Sequence, residues 1–396
     1  MRINDIFTAT YSPGSDPLFA LMKSKVVLLI WCGVLAFAVR AGETSPRYAN
    51  PVIPKNFPDP TFWTGNDGWV YGVATGPSTI HRSRDLVTWE DTGVPPIEPK
   101  SLAELKKFSG HFWAPDVAKV NGRYLLYITQ FVSSERNRLV VLECDRPTGP
   151  FALRNVVLEN WKFGKCDLGI DADVVPEGDS LWLFVGSVAG GVWRTKLTPD
   201  GLRLDEAAGL AHVAGLIPDD PNARGWIYSN RCYEGSYLYR RGKWWYLFVS
   251  CGSISGGSYK LCCGRSETLA GDFVDKAGKL LREGGGEVLL KTVPGSDFSG
   301  CGHNGEIFAD RNGRTYMFVH SQWKGTGGEN WRSGPRCTSL QEVRWDDDGW
   351  PWFETGTLKG EETKPCYSAP TASAMPPSTA STFSGLWPPR RKSFLV

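Results

Sequence analysis

Four polar residues stand at the starts of similar segments and could together carry acid–base chemistry. Asp59, Asp171, Glu234 and His303 are each followed by an apolar strand, a tight turn and an aromatic-rich strand. Carboxyl groups that converge on one cleft shift each other's pKa values, because like charges repel. Such a cluster suits general acid–base catalysis, in which one carboxylate accepts a proton and another carboxyl group donates one. Taken singly, an acid at the start of a strand can equally cap a turn.

A fifth unit begins near Asp116 and completes a repeating series. The leading polar residues lie at 59, 116, 171, 234 and 303, so successive units are 57, 55, 63 and 69 residues apart. Strand pairs with Asn-Gly or Asp-Gly turns and no helical stretches indicate an all-β repeat. Units of this length fit four-stranded blades, and a repeated start signal favours blades over a β-sandwich. The sequence therefore predicts a five-bladed β-propeller over residues 48–366, whose innermost strands would bring the polar side chains together.

Composition and charge narrow the classes of partner. The 396 residues contain 44 Lys plus Arg against 42 Asp plus Glu, a net charge of +2. This near-balance gives no electrostatic reason to expect nucleic acid or an acidic membrane as a partner. Aromatic residues make up 12% of the chain and offer flat faces on which sugar rings could stack. We expect a monomer that does not bind nucleic acid.

The two ends of the chain are predicted to lie outside the propeller. Residues 23–41 combine a basic start, an apolar run and small residues, which is typical of a secretory signal peptide. The signal segment is assigned to residues 1–41, with 1–21 as an upstream extension that a start at Met22 would omit. Its apolar run is shorter than the ~18 residues of a membrane-spanning helix, so we expect a secreted or periplasmic protein with no membrane association after cleavage. Residues 367–396 are rich in Ser, Thr and Pro and are predicted to be a disordered tail.

Export would permit disulfides among the nine cysteines that follow the signal segment. Their pairing cannot be read from the sequence, and no Cys-x-x-Cys spacing suggests a zinc site.

The repeated motifs resemble those of glycoside hydrolase family 43, whose members are five-bladed propellers that act on arabinan and xylan. The resemblance rests on Phe57-Pro58-Asp59-Pro60, Trp113-Ala114-Pro115-Asp116, Ile170-Asp171, Glu234-Gly235 and Gly302-His303-Asn304. Gly264-Arg265-Ser266, the segment 271–276, the glycines at 284–286 and Trp345-Asp346 with Asp348-Gly349-Trp350-Pro351 look most like arabinan endo-1,5-α-L-arabinosidases. Pro58 stands where those enzymes usually carry His, and Ser236 where Pro is common. These departures bear on the substrate and on endo action.

The resemblance implies a secreted, inverting hydrolase that cleaves α-1,5-linked L-arabinofuranosyl bonds in plant arabinan. It assigns Asp59 as the general base, Glu234 as the general acid, and Asp171 as the residue that orients Glu234 and modulates its pKa. Inversion needs the two reacting carboxyl groups about 6.5–9.5 Å apart, so that a water molecule fits between one of them and the sugar.

Further residues receive roles from the same resemblance. Trp113 and Trp63 could stack against the sugar, and Arg336 matches an arginine of the fifth blade that approaches it. His303 resembles a histidine that contacts a calcium ion or its waters, although a buried, hydrogen-bonded histidine explains the residue equally well. Asp116 is expected to brace the scaffold. No cofactor is required for the chemistry, and a structural Ca²⁺ near the propeller axis is the one metal that the resemblance suggests.

Three alternatives remain open at the level of sequence. An exo-acting α-L-arabinofuranosidase or β-xylosidase would block one end of the cleft, which the loops at 155–168 and 218–230 are expected to shape, and arabinoxylan would be a further candidate polysaccharide. A propeller that only binds glycans would typically have lost one of the three acids. A retaining, fructan-type hydrolase would need its carboxyl groups about 5–5.5 Å apart.

Overall fold

A computed structural model of the chain describes residues 46–370, apart from 77, 134–135, 160–161, 164–165, 168, 188–189, 217–232 and 327–329. The predicted signal peptide, the cleft loop at 218–230 and the tail beyond residue 370 lie outside the described residues. Within the described part of the chain, no helix is long and apolar enough to cross a bilayer.

Five antiparallel sheets follow one another along the chain, and each sheet is one blade. Blades 1 and 2 contain β2 (Thr61–Thr64), β3 (Val70–Val73), β4 (His81–Ser83) and β5 (Glu90–Asp91), then β6 (Phe112–Val120), β7 (Arg123–Ser133), β8 (Arg136–Cys144) and β9 (Ala152–Glu159). Blades 3 and 4 contain β12 (Asp173–Glu177), β13 (Ser180–Val185), β14 (Val192–Leu197) and β15 (Ala211–Ala214), then β16 (Glu234–Arg241), β17 (Trp244–Cys251), β18 (Lys260–Ser266) and β19 (Glu287–Lys291). Blade 5 contains β20 (Phe298–Gly302), β21 (Ile307–Ala309), β22 (Thr315–Trp323), β23 (Arg336–Trp345) and β24 (Pro351–Trp352). The predicted five-bladed β-propeller is confirmed.

The strands form where the sequence is apolar enough to be buried on both faces. β17 is the clearest case, because it is an apolar run that is buried along nearly its whole length. A strand buried on both faces reads as continuous apolar sequence rather than as an alternating pattern. The turn between β16 and β17 is closed by Gly242, whose φ of 59° lies in the left-handed region that hairpin turns require.

The core of the molecule is divided among the spaces between blades. Among the described residues, five apolar clusters each join one blade to the next, and the last joins blade 5 to blade 1. In that last cluster, Phe62 of blade 1 stacks on Phe318 of blade 5 with their ring centroids 3.9 Å apart. Full burial of such a side chain contributes roughly 1.5–3 kcal/mol, so these contacts hold the ring of blades together.

The ends of the propeller meet on blade 5. β1 (Arg47–Ala49) pairs with β25 (Glu361–Thr363), and the Tyr48 hydroxyl donates to the carbonyl oxygen of Leu340, 2.7 Å away. Packing continues past the expected boundary at residue 366, because Tyr367 contacts Phe308 and Ala369 is buried. The N-terminal and C-terminal segments thus close the structure together.

Some elements interrupt the all-β pattern. Helix α1 (Pro99–Lys106) lies before blade 2, and Pro99 suits its first turn because the N–H that proline lacks has no helical partner there. Single 3-10 turns occur at Glu206–Ala208, Leu281–Glu283, Lys324–Thr326 and Trp331–Ser333. The loop at 155–168 includes the end of β9 and the short ribbon of β10 (Lys162–Phe163) with β11 (Cys166–Asp167). The expectation of no helical stretches is therefore corrected for α1.

Candidate active site

A left-handed residue stands just before or near the start of the innermost strand of every blade. These residues are Asp59 (φ 49°), Ala114 (40°), Asp171 (57°), Gly235 (58°) and His303 (40°). Positive φ is uncommon for residues other than glycine, and backbone strain of this kind clusters at functional sites. The recurrence of this conformation in all five blades marks one end of the propeller axis as a shared site.

Asp59 is a buried carboxylate surrounded by positive and polar groups. Its Oδ1 lies 2.5 Å from Nη1 of Arg336, 3.1 Å from Nδ1 of His320 and 3.3 Å from Nδ1 of His303. Burial by itself raises the pKa of Asp59, but the charge of Arg336 and, after it, His303 outweigh burial and hold this pKa well below its ordinary value. Asp59 is therefore ionised at neutral pH.

His320 stays neutral beside Asp59. Its ring is fully buried in β22, and its Nδ1 also accepts a hydrogen bond from the backbone N–H of Asp59 at 3.1 Å. Burial and the charge of Arg336 lower the pKa of His320 to about 3, despite the opposing effect of Asp59. The permanent positive charge at this carboxylate thus comes from Arg336.

Asp171 and Glu234 form the second acidic part of the site. The backbone N–H of Gly235 donates to Oδ2 of Asp171 at 3.2 Å. Burial, followed by the charges of Glu234 and Asp59, raises the pKa of Asp171 to about 7, while His303 opposes this shift. Glu234 begins β16 and accepts two hydrogen bonds, one at Oε2 from the Ser187 hydroxyl (2.9 Å) and one at Oε1 from the Tyr259 hydroxyl (2.6 Å).

His303 lies among the three acids. Besides its contact with Asp59, its backbone N–H donates to the hydroxyl of Ser250 at 2.8 Å. Its ring covers Gly235, where an added Cβ would come within 2.9 Å of the imidazole. The structure thus brings together Asp59, Asp171, Glu234 and His303, as the spacing of the repeats predicts.

A structural calcium ion near the axis, contacted by His303 directly or through its waters, stays a prediction. Among the residues that the structure describes, no group of three or more His, Cys, Asp or Glu side chains could hold a metal ion. His303, which the family resemblance links to calcium, has its Nδ1 3.3 Å from Oδ1 of Asp59.

A second layer of polar residues lines a small cavity beneath the acids. The cavity has a volume of about 20 Å³ that the centre of a water molecule can occupy. The polar residues that face it are Thr61, Asp116, Asp173, Tyr237 and Glu306. A space of that size holds about one water molecule. Burial raises the pKa of Asp116 to about 7, and burial together with Asp116 raises that of Glu306 to about 8. Asp116 accepts a hydrogen bond from the backbone N–H of Val174 at 2.9 Å, which joins blade 2 to blade 3.

The remaining predicted binding residues differ in their exposure. Trp113 is 37% exposed and stacks on Phe131 with centroids 4.1 Å apart, so it offers a supported aromatic surface. Trp63 is 5% exposed, packs on Tyr71, and donates from Nε1 to the carbonyl oxygen of Pro147 at 2.9 Å. Trp63 belongs to the core between blades 1 and 2 and is not available to a sugar, which corrects the expectation from sequence.

Three contacting residues were not identified from the sequence. Ser187 and Tyr259 hold Glu234, and His320 contacts Asp59. Ser187 and Tyr259 lie in or next to the loop after the second strand of their blades, away from the motifs that begin each repeat. A histidine inside the apolar strand β22 is the one signal that could have pointed to His320.

Comparisons with known proteins find similar proteins over most of the chain. A family model described as Glycosyl hydrolases family 43 matches residues 48–351. An extracellular exo-α-(1→5)-L-arabinofuranosidase of Cellvibrio japonicus is 27% identical over 319 residues, which cover 76% of this chain and 87% of that relative. An arabinan endo-1,5-α-L-arabinosidase A of Aspergillus aculeatus is 26% identical over 242 residues, which cover 57% of this chain and 70% of the relative. A Cellvibrio cellulosa α-L-arabinanase solved in complex with arabinohexaose matches with a TM-score of 0.62 at 25% identity, covering 76% of this chain and 96% of that one.

Proposed function

The chain belongs to glycosyl hydrolase family 43, and from that premise we propose that it hydrolyses the α-1,5-linked L-arabinofuranosyl bonds of plant arabinan with inversion. One observation carries the proposal. Asp59, Asp171 and Glu234 come from three blades, the charges of Glu234 and Asp59 raise the pKa of Asp171 at one end of the axis, and Arg336 keeps Asp59 ionised. Relatives of this chain are named for action on the same linkage.

The roles follow from the surroundings of each acid. Asp59, as a carboxylate, accepts a proton from the water that attacks the anomeric carbon, and Glu234 donates a proton to the departing oxygen. Asp171, whose pKa is raised by burial and by the charge of Glu234, accepts from the backbone N–H of Gly235 and so lies against the strand that positions Glu234. Trp113 supplies an exposed ring against which a sugar can stack. Arg336 acts first on Asp59, at 2.5 Å, and is near enough to the site to contact a bound sugar as well.

An exo mode on the same linkage is the second candidate. The relative from Cellvibrio japonicus is named as exo-acting and that from Aspergillus aculeatus as endo-acting. Both modes require the same acids and differ in whether one end of the cleft is closed.

We also propose that residues 1–41 direct the protein out of the cytoplasm, where a plant polysaccharide is accessible. The apolar run and the small residues near Ala41 support this assignment, as does the extracellular name of the relative from Cellvibrio japonicus.

The test is the reaction itself, followed on debranched arabinan with arabinoxylan beside it. We expect hydrolysis of arabinan, and proton NMR of the first products should show the β-anomer, since the substrate is α-linked and the reaction inverts. A ladder of arabino-oligosaccharides would indicate endo action, and arabinose alone would indicate exo action.

Two variants and one control complete this test. Asp59→Ala and Glu234→Ala should each abolish hydrolysis while the thermal unfolding profile stays cooperative. Asp145→Ala is the matched control, because the Asp145 side chain is 86% exposed. First products in the α-form, or full activity in either active-site variant, would contradict the proposed mechanism. Tight arabinan binding without hydrolysis would favour the glycan-binding alternative.

A further inference from the structure

We propose that Tyr259 is a positioning residue of the acid–base pair, which holds Oε1 of Glu234 and thereby assigns the transferable proton to Oε2. This inference rests on the proposed function, in which Glu234 is the general acid. It concerns a residue that none of the repeated motifs contains.

The contacts of Tyr259 reach both halves of the site. Its hydroxyl lies 2.6 Å from Oε1 of Glu234, and the Ser187 hydroxyl lies 2.9 Å from Oε2 of the same carboxyl group. The Tyr259 ring stacks on His320 with centroids 5.7 Å apart and an interplanar angle of 13°. Because His320 contacts Asp59 at 3.1 Å, one buried phenol connects the environment of the acid to that of the base.

The local fold fixes Tyr259 in this position. The residue directly precedes β18, is 1% exposed, and donates its backbone N–H to the carbonyl oxygen of Ser253 at 3.0 Å. At Gly252, whose φ is 103°, a Cβ would lie 2.5 Å from the carbonyl oxygen of Ser258. At Gly302 a Cβ would lie 2.6 Å from the Tyr259 ring. Two glycines without room for a side chain thus keep the phenol against Glu234.

The two hydroxyl groups that contact Glu234 are not equivalent. Burial, and after it the charge of Glu234, raises the pKa of Tyr259 well above its ordinary value, so the phenol keeps its hydrogen wherever the enzyme works. Oε1 therefore receives a hydrogen bond whether or not Glu234 is protonated. The Ser187 hydroxyl can rotate and either donate or accept, so Oε2 is the oxygen that can carry the proton. Proton donation to the departing oxygen then starts from one defined atom.

The first experiment compares Tyr259→Phe on two leaving groups. With arabinan, we expect kcat to fall about 10-fold to 100-fold while KM changes little, since acid catalysis contributes roughly 10²–10⁴-fold in total. With a 2,4-dinitrophenyl α-L-arabinofuranoside, whose leaving group departs without a proton, the loss should be only a few-fold. Tyr246→Phe is the matched control, because it also removes a buried hydroxyl, here one that donates to the carbonyl oxygen of Gly349. This control should lose stability and keep the wild-type ratio of the two activities.

The second experiment needs no substrate. The carbon-13 NMR titration of Glu234, identified by its absence in Glu234→Gln, should move upward by about one pH unit in Tyr259→Phe, because the carboxylate has lost a donor. An unmoved titration, or equal losses on both leaving groups, would overturn the inference. If wild-type protein cleaves no arabinofuranoside but the titration moves, the proposed substrate fails and the assignment of Tyr259 stands.

Discussion

Asp59 and Asp171 are two buried aspartates of one site whose neighbours shift their pKa values in opposite directions. Burial raises the pKa of both side chains. Within the described part of the chain, a guanidinium group contacts Asp59, at 2.5 Å, but not Asp171, which faces the charges of Glu234 and Asp59. The division between a carboxylate that accepts protons and a carboxyl group that retains one thus follows from neighbours and not from residue type.

Arg336 should set the acid side of the pH profile. In Arg336→Gln, burial of Asp59 is no longer balanced by this positive charge, so the pKa of Asp59 should rise. A base with a raised pKa is protonated over a wider acidic range, so the acid limb of kcat/KM should move to higher pH by about one unit or more. The measurement is kcat/KM against pH, with Arg336→Lys, which keeps the charge, as the comparison. An acid limb that stays in place in Arg336→Gln would contradict this role.

At the residue scale, the sequence predicts the position of those site residues that belong to the repeat. Asp59, Asp171 and His303 occupy equivalent places in their blades, and Glu234 is one residue from such a place, so spacing alone brings them together. Tyr259 reaches Glu234 through the conformation of a loop, which no periodicity encodes. Trp63 could not be assigned from sequence, since a buried and an exposed tryptophan read alike.

At the scale of the strand, the left-handed residues define a repeat that differs slightly from the polar one. In blade 2 this position is Ala114, and Asp116 lies two residues later, in the deeper layer that lines the axial cavity. Asp173 has the same relation to Asp171. The sequence repeat pairs Asp116 with Asp59 and Asp171, although Ala114 is the residue that occupies their position in blade 2. The error arises because a positive φ at a residue other than glycine cannot be recognised in the sequence.

Gly235 offers a test of this geometry, with Gly242 of the same hairpin as its matched control. Their φ values are 58° and 59°, so alanine at either position should cost about 1–2 kcal/mol of stability. Only at Gly235 would the new Cβ meet the His303 ring, at 2.9 Å, whereas nothing lies within 4 Å at Gly242. We expect Gly235→Ala to lose activity as well as stability, and Gly242→Ala to lose stability alone. The measurements are Tm and kcat/KM for both variants. Equal activities of Gly235→Ala and Gly242→Ala would contradict a role of the Gly235–His303 contact in activity.

At the scale of the whole molecule, a ring of hydrogen bonds around the axis joins all five blades. In each bond, a side chain of one blade accepts from a backbone N–H of the next blade's innermost region. The pairs of acceptor and donor are Thr61 with Val117, Asp116 with Val174, Asp173 with Leu238, Tyr237 with Ile307, and Glu306 with Phe62. Asp116 thus braces the scaffold in this structure, and the ring closes in the same order as the apolar clusters.

Sequence predicts the number and kind of blades but not how the circle is completed. The repeat of strands and turns is local, and it suffices for five blades. The pairing of β1 with β25 joins segments more than 300 residues apart, and the packing of Ala369 depends on where blade 5 already lies. Such contacts follow from the assembled ring, so they could not be inferred from local pattern.

The carboxyl groups of the ring predict how stability depends on pH. The pKa of Asp116 is raised to about 7 and that of Glu306 to about 8, whereas such groups titrate near 4 in an unfolded chain. Between these values the folded protein binds more protons than the unfolded chain. The free energy of unfolding should therefore fall as pH rises, by up to about 1.4 kcal/mol per pH unit for each proton. Asp59 acts oppositely, since its lowered pKa stabilises the fold above about pH 4 and that contribution is lost in acid. Tm should thus be highest near pH 4, where these groups titrate in the unfolded chain, and decline toward pH 8.

Asp116→Asn isolates one carboxyl group of the ring. The amide keeps an oxygen that can accept from the backbone N–H of Val174, but it cannot ionise. The folded variant therefore binds one proton fewer, and the free energy of unfolding depends less on pH. The decline in Tm between pH 5 and pH 8 should be shallower in this variant, even if its Tm at pH 5 is lower than that of the wild type. Asp145→Asn, at an exposed surface position, should leave the decline unchanged. Thermal unfolding at several pH values measures both slopes. Parallel slopes for wild type and Asp116→Asn would mean that Asp116 is already ionised in the fold, and the axial ring would then have to hold a buried negative charge.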